Sequence, residues 1–285
     1  MKNFKTIAAI ALTAFSLVPY GFAAEPCETE VKSSANHLDE KTTKIKVVKT
    51  KDYDEMCQQI ASYVKEQVDA KPDSVLGVAT GSTYLGVYKH LAELYNNGEI
   101  DFSKAITLNL DEYADIAPDN PQSYTYYMHT NFFDKVNISP ENTHLPDGLA
   151  SDRDAECQRY QALFEKYGST DLQLLGLGHN GHIAFNEPGD CFISGVHCAK
   201  LNDSTIQANK RFFEKEQDVP RFAYTMGIGN IFSAKKIVIA VSDPAKAKIL
   251  KEAFYGPITP DVPASILQLH NDVTIIGTED ALALL

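Results

Sequence analysis

Tryptophan is missing from this 285-residue chain, and cysteine is scarce, with five residues and no Cys-x-x-Cys pair. The spacing therefore carries no zinc-ribbon or thioredoxin-type signature. The nearest pair, Cys191 and Cys198, reads equally well as a disulfide or as two thiols. Positive charge is also in short supply. Lys and Arg number 26 against 38 Asp and Glu, a formal charge of −12. That balance excludes the broad basic face of a nucleic-acid-binding protein, though not a small basic pocket. The one long apolar run, Thr6–Val18, falls short of the roughly 20 residues that span a bilayer. Internal repeats and low-complexity blocks are absent. What remains is ordinary globular composition, 44% hydrophobic and 22% charged. At this length a chain buries roughly three quarters of its unfolded surface without needing a metal or disulfide staple.

The N-terminus reads as a secretory leader over residues 1–24, with Lys2 and Lys5 ahead of the apolar run and small residues Ala23 and Ala24 at its end. Residues 25–43 are polar and charged and read as a linker. This pattern predicts export to a periplasmic or extracellular space, with retention in the cytoplasm as the alternative.

From residue 44 to 285 the chain reads as one domain. Apolar, β-branched runs at Ile45–Val48, Val75–Ala79, Ala105–Leu110, Leu172–Leu177, Ile237–Val241 and Val273–Ile276 predict strands. Between them lie helical patterns at Tyr53–Val68, Tyr84–Tyr95, Ser123–Asp134, Asp152–Tyr167 and Ala245–Phe254. In the first, Met56, Ile60, Tyr63, Val64 and Val68 share one face. A short helical stretch from Pro263 to His270 follows the last of these helices. Such alternation implies a Rossmann-like three-layer α/β/α fold with a mostly parallel sheet. Ligands of these sheets bind outside the carboxyl ends of the strands, so those loops are where chemistry is expected.

Three of the loops are unusual. Thr80-Gly81-Ser82-Thr83 joins a strand to a helix, and backbone N–H groups with two hydroxyls make an anion site there. It has neither the Lys of a Walker loop nor three dinucleotide-binding glycines, so a small phosphorylated ligand fits better than a nucleotide. Asp111 and Glu112 end another strand. Adjacent strand residues point to opposite sides, so at most one of them aims at a given pocket. A partly buried carboxylate there can act as a base. The third loop, Gly176–Pro188, crowds Asn180, His182 and Glu187 together. His182 suits proton transfer near neutral pH, with Glu187 to orient it. A metal set of His179, His182 and Glu187 lacks helical zinc spacing. Arg211 and Lys246 are candidate phosphate ligands. Taken singly, each feature also admits a plainer role, as a turn, a helix cap, a structural histidine or surface charge.

Together these segments resemble the glucosamine-6-phosphate deaminase family, also called glucosamine-6-phosphate isomerase. The resemblance rests on Thr80–Thr83, Asn109–Tyr113, Ser123–Phe133, Gly181-His-Ile-Ala-Phe-Asn-Glu-Pro188, Arg211-Phe-Phe213 and Ser265-Ile-Leu-Gln-Leu-His270. It covers residues 44–285. The related 6-phosphogluconolactonases share the fold, but Asn186-Glu187-Pro188 favours the deaminase.

The resemblance implies an enzyme that converts glucosamine 6-phosphate and water to fructose 6-phosphate and ammonium, with no metal and no cofactor. Asp111 would move the proton from C2 to C1, and His182, with Glu187 and Asn180, would assist ring opening. Thr80, Gly81, Ser82, Thr83, Glu112, Arg211 and Lys246 would bind substrate and phosphate. Some members carry Asp where this chain has Asn180, and an amide orients rather than accepts a proton. Residues 189–200 lack the basic cluster of an N-acetylglucosamine 6-phosphate effector site, which predicts no such activation and a monomer or small homo-oligomer. The competing readings are a sugar-phosphate sensor, which would have lost its catalytic groups, and a lactonase. The partner in every case is a small molecule.

Overall fold

A computed structural model describes residues 45–285 of the chain. The leader at 1–24 and the linker at 25–43 lie outside the described residues. The elements in order are β1 (Ile45–Thr50), α1 (Tyr53–Ala70), β2 (Val75–Val78), α2 (Leu85–Asn96), β3 (Ile106–Asn109), β4 (Asp111–Tyr113), α3 (Tyr124–Asn131), β5 (Thr143–His144) and α4 (Arg153–Tyr167). They continue with β6 (Leu172–Gly176), β7 (His197–Lys200), α5 (Asp203–Asn209), β8 (Phe222–Thr225), α6 (Ile228–Phe232), β9 (Ile237–Val241), α7 (Ala247–Tyr255) and β10 (Val273–Thr278). Short 3-10 turns lie between them, the longest at Pro263–Leu269.

Seven strands form one sheet in the order β1-β10-β9-β6-β2-β3-β5, and every pairing in it is parallel. All residues of β2 and β9 are buried. Strands buried along their whole length read as continuous apolar runs, because both sheet faces are covered. That is why Ile237–Val241 was visible in the sequence. The helices follow local rules. Asp52 caps α1 by accepting the Glu55 N–H at 2.9 Å, and Asp152 caps α4 through Asp154 and Ala155. Gly168, at φ 77°, ends α4. Met56, Ile60, Val64 and Val68 bury the predicted face of α1. Tyr63 is only half-buried, because its hydroxyl reaches out to Lys46. The helix predicted over 123–134 ends at Asn131, where Phe132 leaves helical geometry and a 3-10 turn takes over. Cys57 is a buried thiol, and Cys198, half-buried on β7, is also a thiol.

A second, antiparallel sheet, β4-β8-β7, is an addition that the sequence patterns did not predict. Its strands have three or four residues each, too few to show a period. Leu110 joins the two sheets. Its N–H donates to Val78 of β2, and its carbonyl accepts from Met226 just beyond β8. The chain thus leaves the parallel sheet and enters the small one within a single residue. This fixes Asp111 at the carboxyl edge of the main sheet.

Candidate active site

Arg211 stands on the turn after α5, and the other predicted cavity residues follow β2, β3, β6 and β9. These strands are consecutive neighbours in the sheet, in the order β9-β6-β2-β3. Loops about 30 to 70 residues apart in sequence therefore open onto one cavity of about 700 Å³. Thr80, Gly81, Ser82, Thr83, Asp111, Asn180, His182, Arg211 and Lys246 all line it.

Asp111 is 7% exposed, on the cavity wall. Burial, reinforced by the charge of Glu112, pushes its carboxyl well above the usual carboxylate range. A carboxylate held this way is a stronger base than one in water.

Glu112 does not join it, which corrects its assignment to the substrate site. At 1% exposure it faces the other side of β4. Its oxygens accept from the Tyr113, Tyr124 and Thr125 N–H groups and from the Thr125 hydroxyl, at 2.8–2.9 Å. Two of these N–H groups belong to the first turn of α3, where a helix has unsatisfied donors. Burial raises the Glu112 pKa, and the four donors oppose that rise. Its role is to anchor α3 against β4.

His182 stands on the loop after β6, with Nδ1 3.5 Å from Glu187 Oε2. That is longer than a normal hydrogen bond. The close approach needs Gly178, because a Cβ there would come within 2.3–2.4 Å of the His182 ring. The Gly178 N–H also donates to the His182 carbonyl at 2.9 Å. Glu187 sits behind His182 rather than on the cavity wall. It accepts from Asn180 Nδ2 at 2.8 Å, from Asn202 Nδ2 at 3.3 Å and from the Thr205 hydroxyl. Burial acts to raise its pKa, but the contacts with His182, Thr205 and Asn180 outweigh it and hold Glu187 below the ordinary value. Asn180 also accepts the His182 N–H at 3.2 Å, so it orients both partners. His179 also lines the cavity, with Nε2 3.5 Å from Asp243.

Lys246 is half-buried at the foot of α7. Burial lowers its pKa, the nearby Arg211 guanidinium lowers it further, and Asp243 opposes both. Two cations converging in one cavity of an acidic protein repel each other unless an anion lies between them. The 80–83 loop faces the same space. Gly81 has φ 95°, a backbone that favours glycine.

Several site residues carried no recognisable local signal. Asn202 and Thr205 reach Glu187 from α5, and Asn209 Nδ2 donates to the Tyr113 hydroxyl at 2.8 Å. Tyr53 and Tyr127 contact the 80–83 loop from α1 and α3. The polar run Asn202–Thr205 has the composition of a helix start, which was the one available hint for α5.

Comparison with known proteins gives a consistent result. The sequence profile of the family described as glucosamine-6-phosphate isomerases/6-phosphogluconolactonase matches residues 49–276. The chain is 52% identical over 241 residues to a glucosamine-6-phosphate deaminase of Thermoanaerobacter sp. (strain X514), covering 85% of this chain and 95% of the relative. It is 53% identical over 232 residues to one from Lachnoclostridium phytofermentans, covering 81% and 98%. Among solved structures, a monomeric glucosamine-6-phosphate deaminase superposes with TM-score 0.82 at 43% identity, covering 84% of this chain and all of the other. A 6-phosphogluconolactonase from Trypanosoma brucei, 14% identical with TM-score 0.66 over 85% of this chain and 99% of the other, shares the fold.

Proposed function

The chain belongs to the family of glucosamine-6-phosphate isomerases and 6-phosphogluconolactonases, and within it we propose that the chain is a glucosamine-6-phosphate deaminase. One observation carries the reading at the level of chemistry. A buried carboxylate with a raised pKa, Asp111, and His182, backed by Glu187, share one cavity with two convergent cations.

In this reading Arg211, Lys246 and the 80–83 loop hold the phosphate, which fixes the sugar between Asp111 and His182. His182 moves the proton between the ring oxygen and O1 as the pyranose opens, with Glu187 and Asn180 setting its orientation. Asp111 then removes the proton from C2 of the open aldehyde. The electron pair forms an enolamine across C1 and C2, as a proton passes from the 2-ammonium group to O1. Asp111 returns the proton to C1, leaving an iminium at C2. Water adds there and ammonium departs, giving fructose 6-phosphate. A carbon acid needs a base that is neither solvated nor already paired, and burial of Asp111 supplies that condition.

The test uses purified residues 25–285 with glucosamine 6-phosphate, following ammonium and fructose 6-phosphate together. Both products in equal amounts are expected, and none above a blank overturns the reading. A 6-phosphogluconolactone substrate, run alongside, should give no hydrolysis above its spontaneous rate.

The stretch 189–200 carries one lysine and no arginine, which supports hyperbolic kinetics without activation by N-acetylglucosamine 6-phosphate, in a monomer or small homo-oligomer. A sigmoidal rate curve that this effector straightens would overturn it. Residues 1–24 act as an export leader, supported by Lys2, Lys5 and the Thr6–Val18 run ahead of Ala23 and Ala24. Among the described residues no helix is long and apolar enough to cross a membrane. N-terminal sequencing of the native protein should begin at residue 24 or 25, and an intact Met1 overturns export.

A further inference from the structure

The carbonyls of Gly81, Ser82 and Thr83 are not left to water, and that of Gly81 also accepts the Tyr84 N–H at 3.1 Å. The Tyr127 hydroxyl donates to the Gly81 carbonyl at 2.8 Å. The Tyr53 hydroxyl lies 3.0 Å from the Ser82 carbonyl and 3.2 Å from that of Thr83, and accepts the Gly86 N–H at 3.0 Å. The loop is thus gripped by two phenols from two helices, α1 and α3, that are otherwise remote from it in sequence. Both rings are fixed. Tyr127 packs edge-on against Tyr88, with centroids 6.2 Å apart, and Tyr88 in turn stacks on Phe132. Tyr53 lies against the start of α2, beside Gly86, where a Cβ would meet its ring and hydroxyl at 3.1 Å. Burial raises both phenol pKa values, that of Tyr53 to about 12, so each remains an O–H donor at neutral pH.

The geometry of the peptide group gives these contacts a consequence. In a trans peptide the N–H of the next residue points opposite to the carbonyl. A carbonyl fixed on Tyr127 therefore fixes the Ser82 N–H in the opposite direction, and one fixed on Tyr53 does the same for Thr83. Ser82 and Thr83 both line the cavity. Free glycine-rich loops sample both peptide orientations, and one of them would present carbonyl oxygens to an anion. We propose that Tyr53 and Tyr127 are positioning residues that hold the 80–83 carbonyls back, so that the Ser82 and Thr83 N–H groups face the phosphate of the substrate. This rests on the reading of the loop as the phosphate site. Tyr127 lines the cavity and Tyr53 does not, but both hydroxyls are engaged by the loop carbonyls, so they act on binding of the phosphoryl group more than on the chemical step.

The experiment compares the full chain with Tyr127→Phe and Tyr53→Phe, and with Tyr126→Phe as a control, a half-exposed ring on α3 outside the cavity. Inorganic phosphate binding is measured by calorimetry, well below each melting temperature, and KM and kcat for glucosamine 6-phosphate are measured separately. Each of the two variants should weaken phosphate binding and raise KM by about tenfold, the effect of losing one well-placed hydrogen bond on the loop. Their kcat should fall by less than about threefold. The control should match the parent in all three. Phosphate affinity and KM equal to those of the parent in both variants would overturn the positioning role, as would losses confined to kcat. A parent protein that binds phosphate tightly and loses it in the variants, yet forms no fructose 6-phosphate, would uphold the role of the tyrosines and defeat the deaminase reading.

Discussion

Asp111 and Glu112 are neighbours in β4, both buried, and they face opposite ways. Asp111 opens onto the cavity, while Glu112 accepts four hydrogen bonds that pin α3 to the strand. Two carboxylates one residue apart thus have separate tasks, one chemical and one architectural.

Replacing the first should remove chemistry and leave binding. Asp111→Asn keeps the shape of the side chain but cannot take a proton. The expected result is a kcat lower by about a hundredfold to ten-thousandfold. Affinity for the substrate, measured by calorimetry, should stay within about threefold of the parent. Normal turnover in this variant would mean that Asp111 is not the base.

The same substitution should raise stability at neutral pH. Burial and the Glu112 charge lift the folded-state pKa of Asp111 above its unfolded value. Below the unfolded pKa the carboxyl is protonated in both states and its favourable contribution is fully present. As pH rises through the folded pKa that contribution is lost, because ionised Asp111 must stay buried. Asp111→Asn should therefore gain stability relative to the parent at pH 8, and that gain should vanish near pH 3. Urea melts at the two pH values check this, and an equal difference at both would contradict the raised pKa.

Glu112→Gln should instead damage the fold. The new amide turns a donor toward backbone N–H groups that need an acceptor. Loss of about 2–4 kcal/mol is expected for a buried acceptor of this kind. Equilibrium denaturation measures it directly. A substrate-binding role would instead leave stability intact and raise KM.

Gly178→Ala tests whether the imidazole position depends on a missing Cβ. The added methyl would lie 2.3–2.4 Å from the His182 ring, so the ring must move. A kcat more than about tenfold lower is expected, since small displacements of a catalytic group are costly. The far-UV circular dichroism should be unchanged. Full activity would show that His182 tolerates displacement.

Much of this was legible in the sequence. β2 and β9 are continuous apolar runs because they are buried on both faces. The N-caps Asp52 and Asp152 and the stop at Gly168 are local contacts spanning a few residues. The strand-end loops could be selected from the general behaviour of parallel sheets, and that rule led to Thr80–Thr83, Asp111 and His182. The small sheet escaped because β4, β7 and β8 are too short to show a period. Residue type marked Glu112 as a site residue, yet its direction follows from which way β4 turns. Thr205 and Asn202 reach Glu187 from a helix whose sequence says nothing about that contact.

By itself the sequence determined what depends on near neighbours along the chain: helices, buried strands, caps, and the chemical inventory of each strand-end loop. The tertiary structure decided what depends on distant pairing. Asp111 is registered against Thr225, and Tyr127 reaches Gly81. The Leu110 joint, bonded to Val78 on one side and Met226 on the other, sets which adjacent carboxylate meets the cavity. Those partners lie tens to more than a hundred residues away. Their positions are set only when the whole sheet closes, because burial, not local propensity, selects the register.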